Sequence, residues 1–400
     1  MSSRSFVEPN VAPLVGSTGR SYGMLSTFPP TACGIATFSA ALAAGLVANG
    51  ATVDVVQCGA GGAMEDPLVV AALDEQGPNR FDAAVDVLDA ADVVIVQHEY
   101  GIYGGPDGDD VLTVMDAVAA PTIVIAHTVL RRPTANQRDV LERVCAAAAA
   151  VVVMTESARR RLVDEFDVDG SRVEVIPHGA TTPGIDGVRL GDADAHMRRG
   201  DTSARLLTWG LLGPGKGIEW AIDAMESLAD LRPRPTYVIA GATHPKVLAR
   251  DGEAYRHMLI GRTWSTRVAS HVSFDDTYRD LEGLTKLIDT ADVVVLPYDS
   301  EEQVTSGVLV DAVAAGRPVV STAFPHAVEL LASGAGVVVP QRDSHALAEA
   351  IRSVLVDREL AVSMADEARR LAPGLSWAAV ASRYVELASE LLARSTAVRS

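Results

Sequence analysis

Positive charge is what this chain is short of. Its 400 residues carry 34 Lys and Arg against 52 Asp and Glu, a formal net charge of −18. Such a chain repels a phosphate backbone and an anionic bilayer, so neither a nucleic-acid partner nor membrane insertion is expected. Cysteine is scarce as well. Cys33, Cys58 and Cys145 are odd in number and lack CxxC or metal-ligand spacing. Neither a disulfide framework nor a zinc site is therefore supported, and a reducing cytoplasm fits. Long apolar runs are missing too. The longest, Ala146 to Met154, is far too short to span a bilayer, and the first 20 residues have no apolar signal core. Residues 1 to about 19 read as a loose leader.

What is present is alternation. Short Val/Ile-rich runs are separated by longer Ala-rich amphipathic stretches. Strands are expected at Tyr22–Ser26, Val53–Gln57, Val93–Gln97, Thr122–Ala126, Ala150–Met154 and Val173–Ile176. A second set is expected at Arg205–Trp209, Thr236–Ala240, Val268–Phe274, Val293–Leu296, Pro318–Ser321 and Gly336–Val339. Apolar runs without clean alternation, spaced by helices, read as parallel strands covered on both faces. The fold class is α/β, with two doubly wound domains. The polar stretch Thr181 to Ser203, rich in Gly and Asp, is the linker between residues 20–185 and residues 200–374.

The segment Thr290 to Thr322 concentrates the chemistry. A buried strand ends at Pro297, a polar loop runs from Asp299 to Ser306, and a helix starts near Gly307. Ser306 suits the cap, and Gly307 lets a ligand approach the first free backbone N–H groups, so the helix start is a ready anion site. Gln303 and Asp311 flank it. The alternative is local: Ser306 caps its own helix and Asp311 complements the dipole.

Both halves open alike, with a strand and then a glycine-bearing turn into a helix: Pro30 to Ala36 in the first, Gly210 to Gly217 in the second. In doubly wound sheets ligands sit beyond the carboxyl ends of the strands, so a cleft between two such domains follows. Gly210-x4-Gly215-Lys216 also matches a P-loop up to its last position, where Gly217 replaces the Mg²⁺-binding Ser or Thr. Lys216 is a phosphate contact on either reading, or a solvated lysine at a helix start. His98 and His127 end consecutive buried strands at the expected cleft edge, as structural residues or as ligand contacts. His178 is expected to be structural.

These pieces recur in an order that resembles the family-4 retaining glycosyltransferases of GT-B fold. The Gly-rich first loop of that family resembles PTACGIATF, its strand-end histidine IAHT, its "IPHG" Ile176 to Gly179, and its GRLxxxKG motif GLLGPGKG. Its "EGFGLPLLEAMACGxPV" resembles QVTSGVLVDAVAAGRPV, and its final "fsW" helix Leu375-Ser-Trp377.

The resemblance implies transfer of a hexosyl group from a nucleotide-diphosphate sugar to an acceptor hydroxyl, with retention. Lys216 and the Ser306, Gly307 and Val308 amides would hold the diphosphate, with Gly34, Gly213 and Thr305 around the donor. Asp311 would take the ribose, and Glu302 or Gln303 the sugar hydroxyls. His127 would touch the sugar as a catalytic residue beside Lys216, and His98, Glu99 and Arg131 are further acceptor or sugar contacts. Helix 375–396 would return to brace the first domain.

The departures matter too: the family's two glutamates fall on Gln303 and Asp311, unless a one-residue slip brings Glu302 into the first role, and the arginine paired with the phosphate lysine falls on Leu211. No carboxylate announces a covalent nucleophile, so front-face departure and attack is expected, without a metal or other cofactor. A helix Ile35 to Asn49 free of Lys and Arg points to a soluble sugar or glycoside acceptor. A GT-B-like sugar-nucleotide epimerase and a catalytically weakened nucleotide-sugar-binding protein remain as alternatives.

Overall fold

Runs such as Val93–His98 and Thr122–Ala126 are buried along their whole length, which places them inside a sheet covered on both faces. A computed structural model describes residues 19–31, 33–59, 66–73, 81–180, 203–277, 279–300 and 303–399. Most of the expected leader, most of the linker, and Glu302 lie outside the described residues.

Seven strands form the first sheet: β1 (Ser21–Ser26), β2 (Thr52–Gln57), β3 (Val69–Ala72), β4 (Val93–His98), β5 (Thr122–Ala126), β6 (Ala150–Val153) and β7 (Val173–Val175). Six form the second: β8 (Arg205–Trp209), β9 (Thr236–Ala240), β10 (Val272–Asp275), β11 (Val293–Leu296), β12 (Val319–Thr322) and β13 (Gly336–Val339). Their orders are 3-2-1-4-5-6-7 and 10-9-8-11-12-13. Every strand pairing is parallel. Side chains alternate between two apolar layers. In β5, Val124 joins one cluster while Ile123 and Ile125 join the other. In β11, Val293 and Val295 oppose Val294 and Leu296 in the same way.

Two strands differ from expectation. β3 was not expected; it is a four-residue edge strand tied to β2 by Val55 N–H donating to Leu68 O and Leu73 N–H donating to Gln57 O, each at 2.7 Å. The expected strand at Val268–Phe274 begins later, because Ala269–His271 makes a 3₁₀ turn before β10.

The chain passes between the domains twice, and the passages touch. Ala180 N–H donates to Leu375 O at 2.6 Å, and Ala180 bridges to Ser376. The last helix, Trp377–Arg399, then lies on the first domain, where Val380, Ala381, Tyr384, Ala388 and Leu391 join the cluster of Phe38, Leu42 and Leu46. Gly45 makes that crossing close: an added Cβ would lie 2.8 Å from Ala381 Cβ and 2.9 Å from Trp377 O. Among the described residues no helix is long and apolar enough to cross a membrane.

Candidate functional site

Each sheet reverses its strand order once, between β1 and β4 and between β8 and β11. Loops at those carboxyl ends splay apart and leave room for a ligand. The second-domain loops carry the anion chemistry. Gly217 opens the helix Ile218–Ser227 in a left-handed conformation, and an added Cβ would stand 2.0 Å from Pro297 O. A Ser or Thr has no place there, which removes the P-loop reading. Lys216 holds its ammonium 4.2 Å from the ring centre of Tyr298, itself stacked on Phe324. Asp299 N–H donates to Gly215 O at 3.1 Å and closes this loop onto the one that follows β11.

Along that loop the two domains interlock. Val304 inserts into the first domain's core, and its carbonyl accepts from Thr155 Oγ1 at 3.2 Å. Gln303 Nε2 donates to Thr305 O at 2.8 Å, turning the amide back on its own loop. Ser306 caps the helix Gly307–Ala314 by accepting from Leu309 N–H at 3.3 Å. Its own amide is not free for a diphosphate as expected, because it donates to His326 Nδ1 at 2.9 Å. That leaves the Gly307 and Val308 amides, which have no intrahelical partner by position. Asp311 lies one turn on and is 8% exposed.

Gly307 also faces the opposite domain. An added Cβ would lie 3.0 Å from the His178 ring, so a larger residue there would push the ring aside even before a ligand approaches. His178 is thus part of the rim rather than only of the domain exit. Its Nδ1 donates to Gly179 O at 2.6 Å, and its ring meets Phe38 edge-on at 5.1 Å. His127 meets the same Phe38 edge-on at 4.9 Å, with Nε2 2.6 Å from Gln97 Oε1.

Burial keeps all these imidazoles neutral. His127 is held down at about 3 by burial and then by the neighbouring His178 and His98. His326 is also at about 3, by burial and then by His178. Burial holds His178 at about 4. Such rings orient ligands through fixed hydrogen bonds and do not carry charge at neutral pH.

His98 does not stand at the cleft edge. It is buried against Tyr100, with ring centres 5.2 Å apart and neither ring nitrogen hydrogen-bonded among the described residues. Glu99, beside it, does face the cleft: Oε2 accepts from Gly101 N–H at 2.9 Å and lies 3.8 Å from Lys246 Nζ of the second domain. Arg131 is exposed on the loop after β5. An added Cβ at Gly34 would meet nothing within 4 Å, so the fold alone does not demand glycine there, whereas at Gly213 it would meet Val247 at 3.1 Å.

Three residues on this rim were not among those expected from the sequence: His326, Lys246 and Glu329. The Glu329 carboxylate reaches across the domains and accepts from Glu156 N–H (2.8 Å), Ser157 N–H (3.0 Å) and Ser157 Oγ (3.1 Å) at the start of the helix Glu156–Glu165. A carboxylate at a helix N-terminus satisfies free amides and meets the positive end of the dipole. Applying the strand-end rule to β12 as well as β11 would have pointed to His326.

Comparison with known proteins bears on the family and the fold. Residues 195–371 match the family model described as glycosyl transferases group 1, and residues 32–182 match glycosyltransferase family 4. The chain is 31% identical over 310 residues to D-inositol 3-phosphate glycosyltransferase of Geodermatophilus obscurus, covering 70% of this chain and 64% of that protein. It therefore spans less than two thirds of the length of the curated relatives it matches first. Among solved structures it resembles sucrose-phosphate synthase from Thermosynechococcus elongatus, with TM-score 0.74 and 20% identity over 94% of this chain and 100% of that one. It also resembles HepE of Anabaena in complex with UDP-glucose, with TM-score 0.72 and 17% identity over 92% and 99%. At such identities these two structures speak for the fold, a GT-B arrangement of two α/β domains.

Proposed function

The chain belongs to the group 1, family 4 glycosyltransferases, and from that premise we propose that it moves a hexosyl group from a nucleoside-diphosphate sugar to a hydroxyl of a soluble acceptor, with retention at the anomeric carbon. In this reading residues 200–374 hold the donor. Residues 20–185, braced by the last helix, hold the acceptor.

One observation carries the reading. Lys216 and the Gly307 and Val308 amides stand at the carboxyl ends of β8 and β11, opposite the first-domain rim with His127 and His178. Departure of the diphosphate builds negative charge, so preorganised donors at this place stabilise the transition state. The bond from the anomeric carbon to the phosphate oxygen breaks, the acceptor oxygen bonds to the same face, and its proton passes to the leaving phosphate. His127, neutral and oriented by Gln97, contacts the sugar. Asp311 takes the ribose, and Glu302 or Gln303 the sugar hydroxyls. Neutralisation falls to Lys216 and the amides, and the proposal includes no metal cofactor.

A soluble acceptor is supported by the helix Gly34–Ala48, which has no Lys or Arg and buries Phe38, Leu42 and Leu46 under the last helix. That apolar face is not free to enter a bilayer. A cytoplasmic location goes with a nucleotide-sugar donor and with three cysteines that form no disulfide among the described residues. Leu211, in place of a basic residue, favours a second reading, a catalytically weakened binding protein.

The test is a thermal-shift panel of nucleoside diphosphates on the full chain, followed by NMR of the product from the matching sugar donor. A ligand at about 100 times its dissociation constant stabilises by roughly 2.7 kcal/mol. Absence of any shift would overturn the donor site. Binding without transfer or donor hydrolysis would favour the second reading.

A further inference from the structure

Lys216 is the only cation on the Gly210–Gly217 loop, and a nucleoside diphosphate brings more negative charge than one ammonium offsets. The loop after β9 supplies another from close by. Its backbone is tied to the loop after β8: Leu212 N–H donates to Ala242 O at 2.9 Å, and His244 N–H donates to Leu212 O at 2.8 Å. Gly241 lets the two chains touch, since an added Cβ would lie 2.0 Å from Gly210 O.

Two residues beyond His244 comes Lys246, whose amide donates to His244 Nδ1 at 3.1 Å. Burial, and then the nearby Lys246 and Lys216, lower the pKa of the His244 ring, while Glu99 acts the other way. Both ammonium groups and one first-domain carboxylate thus act on a single ring. The Lys246 side chain is 67% exposed, and Glu99 meets it only at 3.8 Å. A long, solvated pair of this kind is readily exchanged for a ligand of higher charge.

We propose that Lys246 is the second cation of the donor site, binding the diphosphate together with Lys216, and that Glu99 competes for it across the cleft when the donor is absent. Arrival of the diphosphate then transfers Lys246 from the first domain's carboxylate to the donor and frees Glu99 towards the acceptor side. The proposal rests on the donor-site reading above.

Calorimetry on the full-length chain tests it, using whichever of UDP, GDP, ADP and TDP binds most tightly, with the matching nucleoside monophosphate as control. Lys246→Ala should weaken the diphosphate about tenfold, the scale of one charge-assisted contact, and the monophosphate less than about twofold. Lys246→Arg should keep most of the affinity. Glu99→Gln should tighten the diphosphate about threefold, the modest gain expected from removing an exposed competitor, and should change nothing in a Lys246→Ala background. Equal weakening of diphosphate and monophosphate, unchanged affinity in Lys246→Ala, or weaker binding in Glu99→Gln would each overturn the role of Lys246. A wild-type chain that binds none of the four overturns the donor site itself along with this proposal.

Discussion

The two domains share a strand order and differ in what they place at its carboxyl end. The first presents neutral rings: His127, His178 and Phe38, packed edge to face. The second presents positive ends: Lys216, Lys246 and the two free amides at the start of Gly307–Ala314. The six-strand order common to both sheets therefore points to where a ligand sits and says nothing about its charge. One rim suits an anion, and the other suits hydroxyl groups that need orientation without charge.

That contrast should break most completely at Gly307. Gly307→Val drives side-chain atoms into the His178 ring and over the free amides, so nucleoside diphosphate binding should be abolished; unchanged affinity in calorimetry would sink the anion site. Lys216→Ala should lower kcat/KM by about 10²–10³, the range for losing one preorganised transition-state donor, and a loss under about threefold would place the neutralising charge elsewhere.

His127→Ala tests the other rim. Turnover should drop roughly 10²-fold, the cost of a misplaced sugar, while diphosphate affinity stays nearly intact. Equal losses of both would make His127 a structural residue.

Smaller effects follow from the neutral imidazoles. His127, His178 and His326 hold pKa values of about 3, about 4 and about 3 in the fold, against about 6.5 in an unfolded chain. As pH falls from about 6.5 towards 4 the unfolded chain takes up protons that the folded one does not, so stability should fall through that window. Thermal melting at pH 7 and pH 5 checks the sign, and a higher melting temperature at pH 5 would contradict it. The smallest expected effect is none: between about pH 7 and 8 turnover should show no imidazole limb, since these rings are neutral throughout.

Much of this architecture can be read from residue pattern alone, because β4, β5, β11 and β12 are apolar on both faces and nothing but a covered parallel strand accommodates them. β3 escapes because a four-residue edge strand is defined by backbone pairing rather than by its side chains. Val268 misleads because it is apolar, yet His271 N–H folds back to its carbonyl at 2.8 Å. Lys216 and Gly307 are legible since loop-to-helix chemistry is local. Lys246 and Glu329 are not, because their partners Glu99 and Glu156 lie on other elements and only the packing brings them together; the strand-end position of His326 is legible, its bond from the Ser306 amide is not. The burial of His98 likewise depends on Tyr100 folding over it.

The hydrogen bond between Ala180 and Leu375 joins the two passages of chain between the domains, and Gly179 beside it has no room for a side chain against the Trp377 ring. Two strands of chain fastened side by side behave as a door hinge. Any opening of the cleft would then swing about the line they share. Contacts on the pin, such as Gly179 against Trp377, survive every opening. Contacts out on the leaves, such as Glu329 with Glu156 and Ser157, would part on such a swing.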